Sequence, residues 1–200
     1  MKKQLIILGA MFFLACNVIH AQRIVLKSGD LSFLKGQKEI KIQYDYSDLK
    51  VGKKAESEYI SDKVEAKNKK EPGTGDKFKE SWLNDRPSRY EPKFEELFNK
   101  YMGEQGIKGG KDLTSAKITM IVHTTCIEPG YNIGISRQNA YTDFVITFKD
   151  DSKELAVLSI DNSPGGTFGG YDFDSGERVA ESYAKCGKSL AGFLIKKGLK

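Results

Sequence analysis

Along residues 116–126, and again along 144–148, one set of residues recurs at every second position. Ala116, Ile118, Met120, Val122, Thr124 and Cys126 alternate with other residues, and Phe144, Ile146 and Phe148 repeat the pattern. That period places each set on one face of a strand. Residues 155–160 are apolar at nearly every position, which predicts a central strand covered on both faces. Lys149-Asp150-Asp151-Ser152 reads as a tight polar turn. Three neighbouring strands with short connections pair as an antiparallel meander. The first and third then run the same way, so the loops 128–138 and 161–174 leave one edge of the sheet.

The remaining elements are helical or short. Residues 23–34 read as two short strands around Ser28-Gly29-Asp30, and Ile40, Ile42, Tyr44 and Tyr46 alternate as a half-buried strand. A very polar helical stretch runs over 56–69 and breaks at Pro72-Gly73-Thr74-Gly75. A second helix from Asp76 is interrupted at Pro87. A third opens near Glu91-Pro92 and carries Phe94, Leu97, Phe98 and Tyr101 at helical spacing. The last helix, over 175–197, has Val179, Tyr183, Cys186, Leu190 and Leu194 as its stripe, and Asp174 with Glu177 forms a capping box. This order predicts an α+β two-layer sandwich. Its sheet is mostly antiparallel, of four to five strands, with helices packed on one face and a polar helical insert at about 50–90.

The N-terminus reads as an export signal. Lys2 and Lys3 precede an uncharged apolar run of 11 residues, from Leu5 to Ala15, and small Ala21 follows. The run is too short for a membrane span, which needs ~20 residues. Cleavage after Ala21 leaves Gln22 first; cleavage before Cys16 would leave a lipid-anchored cysteine. Phe13 and Leu14 fit a lipoprotein signal poorly. Without residues 1–21, 179 of the 200 residues remain, with 30 basic against 27 acidic side chains. That balance gives no reason to expect nucleic acid, and no second run reaches transmembrane length. A soluble periplasmic or extracellular domain is expected.

Both rim loops are unusual. One reads Glu-Pro-Gly-Tyr-Asn-Ile-Gly-Ile-Ser-Arg-Gln, and the other joins glycines to Phe168, Tyr171 and Asp172. Glycines, aromatics and carboxylates on adjacent loops suit a binding edge. Glu128, Tyr131, Asn132, Arg137, Phe168, Tyr171 and Asp172 are the expected ligand-binding residues. The N-terminus of the last helix there would favour an anion. In the plainer alternative, the glycines only turn the chain and the aromatics fold back over the core.

Catalytic patterns are incomplete. Cys186-Gly187-Lys188-Ser189 contains the end of a phosphate-binding loop, but Ser182 stands where that loop needs glycine. Asp172-Phe173-Asp174-Ser175-Gly176 resembles the start of a calcium loop but lacks its later Gly and Glu. His123, mid-strand, has no nucleophile or carboxylate assigned to it by the sequence. A Cys126–Cys186 bridge needs alpha carbons within about 7 Å. Cys186 lies roughly 16 Å into its helix at 1.5 Å per residue. Two buried free thiols are therefore expected. No catalytic residue, metal site or cofactor pattern emerges.

Gln22 after His20-Ala21, the segment Phe94-Glu-Glu-Leu-Phe-Asn-Lys-Tyr101, the strand Lys117-Ile-Thr-Met-Ile-Val122, and the closing Arg178-Val-Ala and Leu190-Ala-Gly-Phe-Leu together resemble uncharacterised exported proteins of Bacteroides-like bacteria. The element order over roughly 40–198 is similar to envelope domains of the TolB N-terminal and curli-secretion lipoprotein type. That resemblance implies a binding or assembly module without catalytic residues, with an envelope protein or small ligand as partner. The insert at 50–90 departs from the compact form. Two other readings compete. One is a secreted hydrolase using carboxylates such as Glu128, Asp161 and Asp172. The other is a calcium-stabilised or carbohydrate-binding module with Trp82 or Tyr131 as stacking platform.

Overall fold

The computed structural model describes residues 21–166 and 174–200. Residues 1–20 of the expected export signal, including Cys16, and the expected site residues Phe168, Tyr171 and Asp172 lie outside the described residues. In chain order the strands are β1 (Arg23–Gly29), β2 (Glu39–Asp45), β3 (Lys50–Val51), β4 (Lys54–Ala55), β5 (Lys108–Gly110), β6 (Ile118–Glu128), β7 (Tyr131–Asn132), β8 (Arg137–Gln138), β9 (Tyr141–Asp150) and β10 (Lys153–Pro164). The α-helices are α1 (Glu56–Lys70), α2 (Thr74–Asp85), α3 (Glu91–Met102) and α4 (Ser175–Leu194).

Eight strands form one mixed sheet in the order β1-β10-β9-β6-β2-β5, with β3 and β4 attached beside β6; β7 and β8 pair separately. This exceeds the four to five strands expected, because two- and three-residue strands carry no periodicity to read. The meander is present: β6, β9 and β10 pair antiparallel in succession. Parallel pairing enters where β2 meets β6 and β5, and where β3 meets β6. The crossover from β2 to β6 carries α1, α2 and α3, and a parallel pair requires such a long connection.

One face of the sheet holds the core. Ile40, Ile42, Ile118, Met120, Val122, Phe144, Ile146, Phe148, Leu158 and Ile160 are buried there with Phe94, Phe98, Tyr183, Leu190 and Leu194. The stripe of α4 is the one its sequence predicts. Gly187 lets α3 approach: a Cβ there would lie 2.4 Å from the Phe94 carbonyl oxygen. The false phosphate-loop glycine is thus a helix-crossing residue.

Five local expectations are corrected. Strand β10 is next to the edge and buried on one face, with Leu155 and Val157 on the other face only half covered. A bulge between Thr124 and Cys126 turns Cys126 off the core face, which Ile127 takes over. The second short strand near residue 30 is a 3-10 turn, Ser32–Leu34, with Leu34 buried. Pro87 does not end the helical path. A wide turn, Arg86–Tyr90, carries the chain into α3, and the Glu91 N–H reaches the Arg86 carbonyl. Helix α4 stops at Leu194, and a second wide turn, Ile195–Leu199, follows it.

Helices α1 and α2 form the polar insert. No residue of α1 is fully buried. Trp82 of α2 packs against Tyr59 and Phe78, with ring centroids 5.2 and 6.1 Å apart, and donates to Glu56 at 2.6 Å. Arg86 also pairs with Glu56 and covers the Tyr46 ring. Trp82 is 4% exposed, so it is an anchor for the insert and cannot serve as a surface stacking platform.

Candidate functional site

The rim predicted from the meander exists in the described residues. Glu128 at the end of β6 and Pro164 at the end of β10 both flank Tyr141, the first residue of β9. Backbone geometry then folds the first loop tightly. Gly130 has φ +58, and a Cβ there would sit 2.2 Å from the Gln138 carbonyl oxygen. Only glycine permits both the turn and the contact. Residues 131–138 form a hairpin closed by Ile133 N–H donating to Ser136 at 3.0 Å. Gly134 (φ +80) occupies the first central position of the turn.

Arg178 joins this loop to α4. Its side chain is 4% exposed, and it donates to the Pro129 carbonyl at 3.0 Å and the Gly130 carbonyl at 3.3 Å. The Arg178 carbonyl in turn accepts from Gly166 N–H at 3.3 Å, while Gly165 N–H reaches Ala140 at 2.8 Å. Both rim segments therefore meet at the first turn of α4. The residue itself was missed as a functional group. A signal was available: a cation in the first turn of a helix opposes the helix dipole, so a specific partner must hold it.

The expected site residues divide as follows. Glu128 accepts from Gly130 N–H at 3.1 Å. Tyr131 is 44% exposed, and its hydroxyl lies 3.2 Å from that of Ser136. Asn132 accepts from Gly134 N–H at 3.0 Å and faces exposed Arg137 across the ribbon. These four stand together. Ile133 and Ile135, which sequence reading passed over, are 65% and 97% exposed at the hairpin tip. Turn chemistry explains Asn132, Gly134 and Ser136; it does not explain two isoleucines.

The electrostatics show the flanks of the rim. Burial raises the Tyr59 hydroxyl above its ordinary pKa, Glu128 adds to this, and Arg178 opposes it. Burial also pushes the Cys126 thiol up to about 11, helped by Asp143 and Glu128. Cys126 and Cys186 are both free, but only Cys186 is fully buried, where two buried thiols were expected. At the start of α4, desolvation raises the Asp174 carboxyl, but Arg89 and the Gly176 N–H outweigh it and hold the group below its usual value. Asp174 accepts from Gly176 N–H at 2.7 Å and pairs with Arg89 at 2.7 Å, while Glu177 turns to Arg89 at 3.6 Å. The capping box is therefore half formed. The anion place at the helix start is filled by the protein's own carboxylate.

Other candidates fall away from the rim. His123 lies on the face away from α4, with Nε2 2.9 Å from the Ser47 carbonyl and 2.8 Å from Asp48. Asp161 belongs to β10, two strands from Glu128. Two strand spacings alone put their alpha carbons about 10 Å apart. Among the described residues no group of three or more His, Cys, Asp or Glu could hold a metal ion, and no helix is long and apolar enough to cross a membrane.

Neither a protein-family model nor a curated protein matches the chain. Among solved structures the chain is similar to the PelC dodecamer from Paraburkholderia phytofirmans, at 11% identity and a TM-score of 0.36, over 83% of this chain and 96% of that one. A likeness at that score carries no argument about mechanism or partner.

Proposed function

We propose that this chain is an exported, non-catalytic binding or assembly module that recognises an envelope partner through the rim built from loops 128–138 and 161–174. The observation that supports this most is the hairpin. Of the five large apolar residues exposed among the described residues, Tyr131, Ile133 and Ile135 stand on it. Exposed aliphatics clustered on one projection need a partner to cover them. The Arg178 clasp holds the projection in place against the helix, so the surface is organised before binding. A hydrolase using Glu128 and Asp161 is less well supported, because the two carboxylates stand on strands that are not neighbours.

The test is a photo-crosslinking residue placed at Ile135 in the producing cell, with Asp151, at the opposite end of the sheet, as control. The reading expects adducts from position 135 in the envelope fraction and none from 151. Equal labelling from both, or none from 135, would remove the rim as a recognition surface.

A further inference from the structure

The geometry points to the tip of the 131–138 hairpin as a docking element for an anionic lipid surface, an inference that rests on the rim being the recognition surface. The ribbon is ordered by depth. Ile133 and Ile135 are outermost, at 65% and 97% exposed. Arg137 is one pair further in, opposite Asn132, and Tyr131 follows, opposite Gln138. Successive strand residues rise ~3.4 Å, so the Ile133 backbone stands about 7 Å beyond that of Tyr131, whose hydroxyl reaches the Ser136 hydroxyl. That distance matches the depth of roughly 5–10 Å to which interfacial segments bury apolar side chains. Tyrosine at the next level suits the headgroup boundary, where an apolar ring and a polar hydroxyl are both satisfied.

Charge agrees with this orientation. The β3-β4 turn lies on the same rim, since Gly52 N–H donates to Ile127 at 2.9 Å and a Cβ on Gly52 would lie 3.4 Å from the Glu128 carboxylate. This places exposed Lys53 near the base of the hairpin, with Lys50 three residues earlier in the chain, beside Cys126. Arg137, Lys50 and Lys53 can face lipid phosphates, each adding to attraction for an anionic surface. A protein groove fits less well. Two isoleucines at the end of a narrow ribbon cannot bury the ~800 Å² per partner of a stable protein interface. A lipid surface needs no complementary rim.

The experiment uses the purified protein with vesicles of phosphatidylcholine containing phosphatidylglycerol, and with vesicles of phosphatidylcholine alone. Sedimentation should show binding to the anionic vesicles, weakened at least about tenfold in the Ile133→Ser, Ile135→Ser double variant. Both side chains lie outside the core, so that variant should melt like the parent. Charge reversal by Arg137→Glu and Lys53→Glu should also weaken binding. In an Ile135→Trp variant, brominated phospholipid should quench the new indole, while buried Trp82 stays unquenched. Absence of binding to the anionic vesicles overturns the inference, as does binding that survives the double serine variant. Protein adducts from position 135 without vesicle binding would also overturn it, yet would leave the recognition reading intact.

Discussion

The Arg178 side chain, rooted in the first turn of α4, bonds through Nε to the Pro129 carbonyl at 3.0 Å and so fixes the base of a hairpin 49 positions earlier in the chain. This is the contact that makes the rim a single unit. Replacing Arg178 by Ala would leave two carbonyls at the hairpin base without their charged donor. Hydrogen bonds to charged groups contribute about 1.5–3 kcal/mol. We expect Arg178→Ala to lose about 2–4 kcal/mol by urea denaturation and to open the 129–140 segment to protease. Unchanged stability and unchanged cleavage would show that the clasp is incidental.

Gly187 and Gly192 make a matched pair on α4. A Cβ at 187 would meet the Phe94 backbone, whereas at exposed 192 it meets nothing within 4 Å. Gly187→Ala should therefore destabilise by about 1–3 kcal/mol through overpacking. Gly192→Ala should stabilise by up to ~1 kcal/mol, since alanine favours helix. Thermal melts of the two variants should move in opposite directions.

His123 gives a pH dependence whose sign follows from its partners. Partial burial lowers its pKa, but the Ser47 carbonyl and the Asp48 and Asp45 carboxylates outweigh that and hold it above 6.5. Its contribution is then fully present below the unfolded-state value and is lost as pH rises through the raised folded value. NMR titration of the His123 ring should give a pKa above the ordinary histidine value, and His123→Gln should flatten stability across that window. A ring titrating at or below the ordinary value contradicts this.

Asp174 carries the opposite sign. Its folded pKa is depressed, so its stabilisation is present above the unfolded carboxylate value and disappears as pH falls through the lower folded value. Asp174→Ala should cost about 1 kcal/mol from the lost cap. Asp174→Asn keeps an acceptor for Gly176 N–H and should lose less. Equal losses for the two would assign the effect to Arg89 alone.

The two thiols should differ in reactivity. Cys126 is half buried with its pKa pushed up to about 11, and Cys186 is fully buried in the core. At neutral pH both should resist alkylation in the native state, with Cys126 reacting first as pH rises. Cys186 should react only on unfolding. Rapid native labelling of Cys186 would be inconsistent with the packing of α4.

The amino-acid order alone determined the features that repeat within a single segment. Alternation along 118–124 and 144–148 gave two strands of the meander, and the stripe Val179, Tyr183, Cys186, Leu190, Leu194 gave the closing helix. Those signals are legible because a strand or helix imposes its period on its own residues. The rim's location followed from strand direction, which counts reversals and needs no distant contact.

Tertiary structure decided what depends on segments far apart in the chain. Nothing in 40–46 states that this strand runs parallel to β6 instead of antiparallel, because its pleat is the same in either case. The bulge that moves Cys126 off the core is set by pairing with β9. Only the packing of α1 against α2 shows that Trp82 is enclosed. In the sequence Ile133 and Ile135 are ordinary loop residues; only the fold leaves them without cover. Burial is a property of what surrounds a residue, and those surroundings come from chain segments brought together only by the fold.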